Sequence, residues 1–457
     1  RNLPLMKSTS LTEGPIGSHI RNITIPLSVG FLFNTMYNVV DSFYAGQVST
    51  QALAAMALSF PVFFVIIALS QGVARGSSAL IANAIGAGES DKEEAYSGQV
   101  FSLGILFSII ITAAGLASAI PLFQLLGAEG SYLELANSYV RPLFWGSGFF
   151  LLSSMSNAIL LAHGDSKTFG TVLIAGFFAN LVLDPWFLYG GLGIPPMGLA
   201  GISWATVIIQ GLGGVYLFVT VLRRGYIQMP ELLKRPQLRI YGEILQQGIP
   251  TAFNMMSIAL GFFVSTYYLN SYGEVAVAAF GVGTRIEQMA LLPALGLSSA
   301  IVSIVGQNNG AGRLDRVHQC VSLCIKYGLF LVTVASLILF FFATPLVRLF
   351  TSDPLVVDVG TSYIRIMAFI QWAYVMTFIH TGFLQAVKKP IYGFVESIIR
   401  KIILPIGVFH LTVTIIGIAL TTFFLVMVAI NVVMTVATIL YAQWVLRSKL
   451  RRNPVSS

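Results

Sequence analysis

The chain has 457 residues, of which 56% are hydrophobic and only 10% are charged, and its formal net charge is +8. An average soluble domain carries roughly 25% charged residues, so this composition excludes an ordinary water-soluble protein. We therefore expect a lipid bilayer around most of the chain, with basic residues that anchor cytoplasmic loops rather than bind nucleic acid.

Apolar segments of about 20 residues, the length that crosses a bilayer, recur along the whole sequence. Clusters of glycine, proline or charged residues separate them. The sequence therefore predicts an all-α membrane protein with twelve transmembrane helices. These spans are predicted at 22–45, 52–84, 95–125, 132–161, 168–189, 198–222, 241–269, 275–306, 317–347, 356–386, 391–413 and 416–446.

Lysine and arginine are distributed unevenly between the two sides that these spans define. Of the 26 basic residues, 18 fall on one side, Arg348 alone falls on the other, and seven lie inside spans. Basic loops mark the cytoplasmic side of a membrane protein. We therefore predict a multi-pass protein of the cell (inner) membrane with both termini in the cytoplasm.

The second half of the sequence repeats the first at a constant offset, which places Pro250 over Pro26 and Arg365 over Arg141. Six spans repeated in the same orientation predict two pseudo-symmetric six-helix bundles. Such pairs are typical of secondary transporters that work by alternating access. The predicted parts are a cytoplasmic segment at 1–20, an N-terminal bundle at 21–222, a cytoplasmic linker at 223–240, a C-terminal bundle at 241–446 and a cytoplasmic tail at 447–457.

Two aspartates lie inside predicted spans, where an ionisable group is costly. Asp41 is about 28 Å along the first span and Asp184 about 26 Å along the fifth, so both are predicted in one layer of the N-terminal bundle. Asn180, one helical turn before Asp184, and Thr206 and Tyr139 on other spans are expected near that layer.

Two neighbouring carboxylates in a medium of low dielectric constant do not both ionise without cost. We therefore expect Asp41 and Asp184 to share a proton or to recruit a cation such as Na⁺, with oxygens of Asn180 and Thr206 as further ligands. Two other interpretations stay open, since Asp41 lies near a helix end and Asp184 precedes the helix-weakening Pro185.

The C-terminal bundle offers a secondary pair of charges, Arg285 and Glu287, inside the eighth span. Two residues apart on a helix, they do not face each other, so we expect each to pair with another helix. Glu396 and Arg400 are four residues apart, a spacing that predicts an ordinary surface pair.

Several segments, taken together and in order, resemble the multidrug and toxic compound extrusion (MATE) transporters, and within them the DinF-like prokaryotic branch. The resemblance covers nearly the whole chain. The matching segments are 25–30, 37–41, 54–61, Asn157 with 164–165, 180–185, 201–206 and the span that contains Arg285.

This resemblance implies a V-shaped pair of six-helix lobes that exports amphipathic, often cationic organic molecules in exchange for H⁺ or Na⁺. It implies that Asp41 carries the coupling ion and that Pro26 and Gly30 let the first helix bend. It gives Asp41 the partners Asp184, Asn180 and Thr206, and it implies that Tyr139 and Asn157 line the same lobe. No cofactor other than the coupling ion is expected, and we expect a monomer in the bilayer.

An adaptable surface of methionine and aromatic side chains suits substrates of varied shape, including organic cations. Residues of this kind that we expect to line the substrate cavity are Phe33, Met36, Tyr37, Met155 and Met256.

The chain departs from the NorM-like branch of the family, where acidic residues in spans seven and ten serve the ion. Here Asn254, Ser257 and Gln371 are neutral, which favours the N-terminal lobe as the ion site. The alternative function is a flippase for lipid-linked precursors, although the intramembrane arginines are few and scattered. An intramembrane enzyme is not expected, because only Asp41 and Asp184 resemble a catalytic pair.

Overall fold

The computed structural model describes residues 10–191, 193–232 and 234–452, so the start of the predicted N-terminal segment and the end of the predicted tail lie outside the described residues. Within these ranges the chain is helical, apart from one isolated bridge between Gly191 and Ile194. Nine helices are long and apolar enough to cross a bilayer, and three bent helix pairs pass the same test. Counting each pair as one span gives the twelve spans that the sequence predicts.

The first repeat consists of helices joined by short connections. At the start of α2, the side chain of Ser49 accepts a hydrogen bond from the backbone N–H of Ala52. The helices are α1 (Ile16–Val48), α2 (Thr50–Ala87), α3 (Ser90–Leu125), α4 (Gly130–Trp145), α5 (Ser147–Ala162), α6 (Lys167–Tyr189), α7 (Leu199–Arg223) and the short α8 (Met229–Leu232).

The second repeat follows the same plan. Its helices are α9 (Leu238–Leu269), α10 (Glu274–Ala290), α11 (Leu292–Gly310), α12 (Leu314–Phe341), α13 (Ala343–Arg348), α14 (Pro354–Ala368), α15 (Gln371–Ala386), α16 (Ile391–Ile398), α17 (Leu404–Phe409) and α18 (Leu420–Arg452). A 3₁₀ turn spans Asn270–Tyr272, and π-helical turns span Ile399–Ile403 and His410–Ile416.

The structure confirms the internal repeat. The bent pair α4 and α5 starts at Gly130 and turns by 47°, and its counterpart α14 and α15 turns by 50° and starts at Pro354, the position that the repeat matches to Gly130. Gly88 and Gly312, at the same offset, both adopt φ +70° after a long helix ends. Both are glycine because a side chain disfavours this left-handed conformation.

Three of the twelve spans differ from the continuous helices that the hydropathy pattern predicts, since α4–α5, α10–α11 and α14–α15 are bent pairs. Hydropathy does not detect such bends, because the residues on both sides of the bend are equally apolar. The π-helical turns in the eleventh span are also invisible in the pattern.

Two compact units make up the molecule. The first contains Val29–Ala252, and the second contains Leu11–Ser28 and the described part of Phe253–Ser457. The unit boundaries therefore fall inside α1 and α9, the first helix of each repeat. Each unit thus includes the beginning of the helix that opens the other repeat.

Small residues bring helices together where these beginnings are packed. In the first unit, Gly72 and Gly76 of α2 lie against Ala252 and Gly248 of α9, so closely that a Cβ added to Gly76 would be 2.6 Å from the Gly248 nitrogen. In the second unit, a Cβ on Gly296 of α11 would be 2.9 Å from the backbone oxygen of residue 24 in α1. Close approach through small residues is how membrane helices associate.

Candidate functional site

Asp41 and Asp184 lie in the first unit, on α1 and α6. Their exposed fractions are 3% and 0%, so both carboxyls are removed from the surface. The two side chains interact with each other, as the sequence predicts for residues in one layer. Because a buried carboxylate pair is repulsive when both groups are ionised, this arrangement favours the uptake of a positive charge.

Asn180 positions the pair. It is fully buried, and its Nδ2 donates a hydrogen bond of 2.8 Å to Oδ1 of Asp41. It lies one helical turn before Asp184 on α6, so both side chains project from the same helix face. The face of α6 that carries Asp184 thus also fixes the position of Asp41, through the hydrogen bond from Asn180.

Three oxygens of this cluster are buried without a hydrogen-bond partner among the described residues. They are both carboxyl oxygens of Asp184 and Oδ1 of Asn180. Buried polar atoms are almost always satisfied, so orphaned oxygens beside a second carboxyl call for a proton or a cation. Hard cations such as Na⁺ take oxygen ligands, and this donor set is of that kind. The described residues contain no group of three or more His, Cys, Asp or Glu side chains that would suit a softer metal.

A layer of hydroxyl groups, from Tyr37, Thr206 and Tyr139, lies next to the carboxyls of Asp41 and Asp184. The hydroxyl of Tyr37 donates to Oγ1 of Thr206 over 3.0 Å, and Thr206 in turn donates to the Ile202 carbonyl over 3.1 Å. Both Tyr37 and Tyr139 are close enough to Asp41 and Asp184 for an electrostatic interaction. The structure therefore brings together five of the six residues predicted for the site, and adds Tyr37, which the sequence placed in the substrate cavity.

Replacing Tyr37 by phenylalanine tests this hydroxyl layer. We expect Tyr37→Phe to lower the free energy of unfolding by about 1 kcal/mol, the usual net value of one hydrogen bond. The measurement is thermal unfolding of the purified protein in detergent. Tyr139→Phe is the matched control, since the Tyr139 hydroxyl has no hydrogen-bond partner among the described residues. An equal loss in both variants would contradict the expectation.

Asn157, the sixth predicted site residue, lies on α5 in the same unit. Its Oδ1 is buried and has no hydrogen-bond partner in the described part of the chain. Within the described part of the chain, no hydrogen bond joins Asn157 to Asp41 or Asp184.

The residues predicted for the substrate cavity have different surroundings. Phe33 packs on Phe177 with ring centroids 5.3 Å apart, in a cluster that also includes Tyr37. Met155 is fully buried and packs against Gly104 of α3. Met36 is exposed, whereas Met256 is half-buried in the second unit.

The predicted bend residues of α1 lie at the unit boundary. Pro26 is inside a continuous helix, and the first unit begins three residues later. Gly30 is buried where α1 crosses α6, because a Cβ on Gly30 would be 3.1 Å from the Gly170 Cα. Gly30 is therefore a close-packing position, in addition to the flexibility that the sequence suggests.

The two secondary candidates in the second unit, Arg285 and Glu287, differ in their exposure. Glu287 is buried and interacts with Tyr363, while Arg285 is exposed. Among the described residues, Arg285 has no ion pair within 4.0 Å, so the expected pairing with another helix is wrong for this residue. Glu287 has a tyrosine in place of a cationic partner.

The surface pair expected from Glu396 and Arg400 is wrong as well. Their side chains are 1% and 11% exposed, and Nε of Arg400 lies 2.6 Å from Oε1 of Glu396. Arg400 also donates to Oδ1 of Asn431 over 2.9 Å. The spacing of four residues predicts the contact correctly, but it does not show that α18 covers this face.

Comparison with known proteins places the chain among transporters. A family model described as MatE matches residues 26–186 and 250–409. An FAD transporter of Shewanella oneidensis is 28% identical over 400 residues, which cover 86% of this chain and 87% of that protein. A probable multidrug resistance protein NorM of Thermotoga maritima is 27% identical over 359 residues, which cover 78% of this chain and 77% of that protein.

The fold also matches a solved structure, an outward-facing conformation of a multidrug resistance MATE family transporter of the MOP superfamily. The TM-score is 0.91 at 24% sequence identity, over 98% of this chain and 100% of that one. The family model matches well over half of this chain, and its two matches begin at Pro26 and Pro250, in register with the internal repeat. This multi-pass membrane protein therefore belongs to the MATE family of multidrug efflux transporters.

Proposed function

We propose that this protein is an antiporter that exports amphipathic, often cationic organic molecules in exchange for H⁺ or Na⁺ by alternating access. It works as a monomer in the cell (inner) membrane, with both termini in the cytoplasm. The relatives described above are named for FAD and for drugs, so the chemistry of the transported molecule has to be read from this chain's own residues.

One observation carries the proposal. Asp41 and Asp184 are buried against each other, and three oxygens around them have no hydrogen-bond partner among the described residues. A cation that enters this cluster removes the repulsion between the carboxyls and satisfies the orphaned oxygens. Release of the cation restores the repulsion and leaves the three oxygens unpaired again. The occupancy of the site therefore changes the free energy of the first unit.

Coupling requires a free-energy difference between the cation-bound and the cation-free site. A ligand shifts a conformational equilibrium only by its difference in affinity for the two states. If one conformation opens the Asp41 cluster to water and the other closes it, the cation binds them unequally. Asp41 is on α1, whose first turns belong to the second unit, so a change at the cluster acts on a helix shared by both units.

Separate ion gradients test the proposal and identify the ion. Proteoliposomes loaded with rhodamine B, an amphipathic dye with a permanently cationic ring system and a carboxylate, are exposed to a pH gradient or a Na⁺ gradient with the membrane potential clamped by K⁺ and valinomycin. We expect one gradient to accelerate movement of the dye at least tenfold over protein-free liposomes and the other to have little effect. Equal rates with and without any gradient would contradict ion coupling.

A further inference from the structure

A half-buried lysine lies near the middle of a span of the second unit, outside the site described above. Lys401 is ten residues beyond Ile391, or about 15 Å along the eleventh span, near the middle of a hydrocarbon core of about 30 Å. It lies in the π-helical turn Ile399–Ile403, and such turns are frequent at functional sites. A charged side chain at this depth is costly, so its presence requires a reason.

The immediate partners of Lys401 are neutral. Its Nζ lies 3.3 Å from Oγ of Ser257 and 3.5 Å from the Asn254 carbonyl oxygen. No carboxylate of the described residues is within 4.0 Å of this ammonium group. The neighbouring Glu396 pairs with Arg400 at 2.6 Å, so it is not available as the counter-ion of Lys401.

The internal repeat shows that the fold does not require this lysine. At the offset that places Pro250 over Pro26, Lys401 corresponds to Phe177 and Ser257 corresponds to Phe33. In the first unit these two phenylalanines are in contact, with ring centroids 5.3 Å apart. The same helix crossing is thus built from two apolar rings in one repeat and from a lysine and a serine in the other.

We propose that Lys401 and Ser257 form a binding site for an anionic group, a carboxylate or a phosphate, on the transported molecule. The proposal rests on the proposed export function and narrows its substrate class to molecules that carry such a group. An ammonium group binds carboxylate and phosphate as a compact point charge with three donors. Oγ of Ser257, which itself donates to the Asn254 carbonyl over 2.6 Å, and the Asn254 carbonyl accept two of these donors and position Nζ, which leaves the third for the anion. The bound anion is the counter-ion for the ammonium form of Lys401, a role that Glu396 does not fill because it pairs with Arg400.

A matched pair of dyes isolates the anionic group. Rhodamine B carries a free carboxylate, and its ethyl ester is otherwise identical. Equilibrium binding of each dye to the purified, detergent-solubilised full chain is followed by fluorescence polarisation. We expect Lys401→Met to weaken binding of rhodamine B about tenfold and binding of the ester less than twofold, while Lys401→Arg retains most of the affinity for the acid.

Two further variants test whether a loss of rhodamine B binding arises from a disturbed structure rather than from the missing ammonium group. Lys326→Met removes the same charge from an exposed position in the second unit and should change neither affinity. The double variant Ser257→Phe with Lys401→Phe copies the packing of the first repeat, so it should fold and still lose the preference for the acid. An equal loss for both dyes in Lys401→Met, or wild-type protein that does not bind rhodamine B, would overturn the proposal.

The same chemistry occurs on lipid headgroups, and a parallel assay separates the two sources. Fluorescent phosphatidylglycerol in proteoliposomes reports lipid movement between leaflets. A loss in Lys401→Met confined to rhodamine B supports a soluble anion, and a loss that extends to the lipid supports a headgroup as the bound anion. Dye binding needs no ion gradient, so these results stand whether or not gradient-driven export is found.

Discussion

Asp41→Asn is expected to abolish export driven by an ion gradient, with at least a hundredfold loss of the coupled rate. Asparagine is nearly isosteric with aspartate but neither binds a proton at this position nor carries a negative charge. Its amide oxygen keeps the hydrogen bond from Asn180, so the helix packing should survive. The measurement is dye movement in proteoliposomes under the gradient that drives the wild-type protein.

Glu287→Gln is the matched control, because Glu287 is also a buried carboxyl but lies in the second unit beside Tyr363. We expect it to retain most of the coupled rate. Asp184→Asn should lose nearly as much as Asp41→Asn, since the proposed coupling needs both carboxyls. Normal transport by Asp41→Asn would refute the site, and complete loss in Glu287→Gln would move it to the second unit.

Gly76→Val is expected to cause the largest loss of stability. The added Cβ would be 2.6 Å from the Gly248 nitrogen and 2.8 Å from the backbone carbon of residue 247, and neither atom moves without displacing α9. Overpacking of a tight core costs about 3 kcal/mol at the upper end of the usual range. This is a large part of a total stability of about 5–15 kcal/mol. Thermal unfolding in detergent measures the effect.

The control for this prediction lies on the partner helix. Gly242 of α9 has no atom within 4 Å of an added Cβ, so Gly242→Val tests the loss of a helical glycine without a clash. We expect its melting temperature to stay close to that of the wild-type protein. Comparable destabilisation by both variants would show that the crossing of α2 and α9 is not the cause.

The sequence predicted the proximity of Asp41 and Asp184 because its signal is chemical rather than geometric. Asp41 and Asp184 are costly in lipid wherever they point, and the helical rise alone places them at one depth. The sequence did not reveal the surroundings of Lys401, because Ser257 and Asn254 are 144 and 147 residues away in the chain. The spacing of Glu396 and Arg400 predicted their contact, but their burial depends on Asn431 and the helix that carries it.

The sequence by itself determined the twelve spans, the internal repeat and the proximity of the two carboxyls. In lipid every backbone polar group has to be satisfied within the chain, so long apolar segments leave little choice but helices. Only the tertiary structure decided that each unit takes in the beginning of the other repeat's first helix, and that a lysine in one repeat occupies the place of a phenylalanine in the other. Those outcomes depend on how closely two helices approach, and a contact such as that between Gly76 and Gly248 fixes this distance across a long stretch of chain.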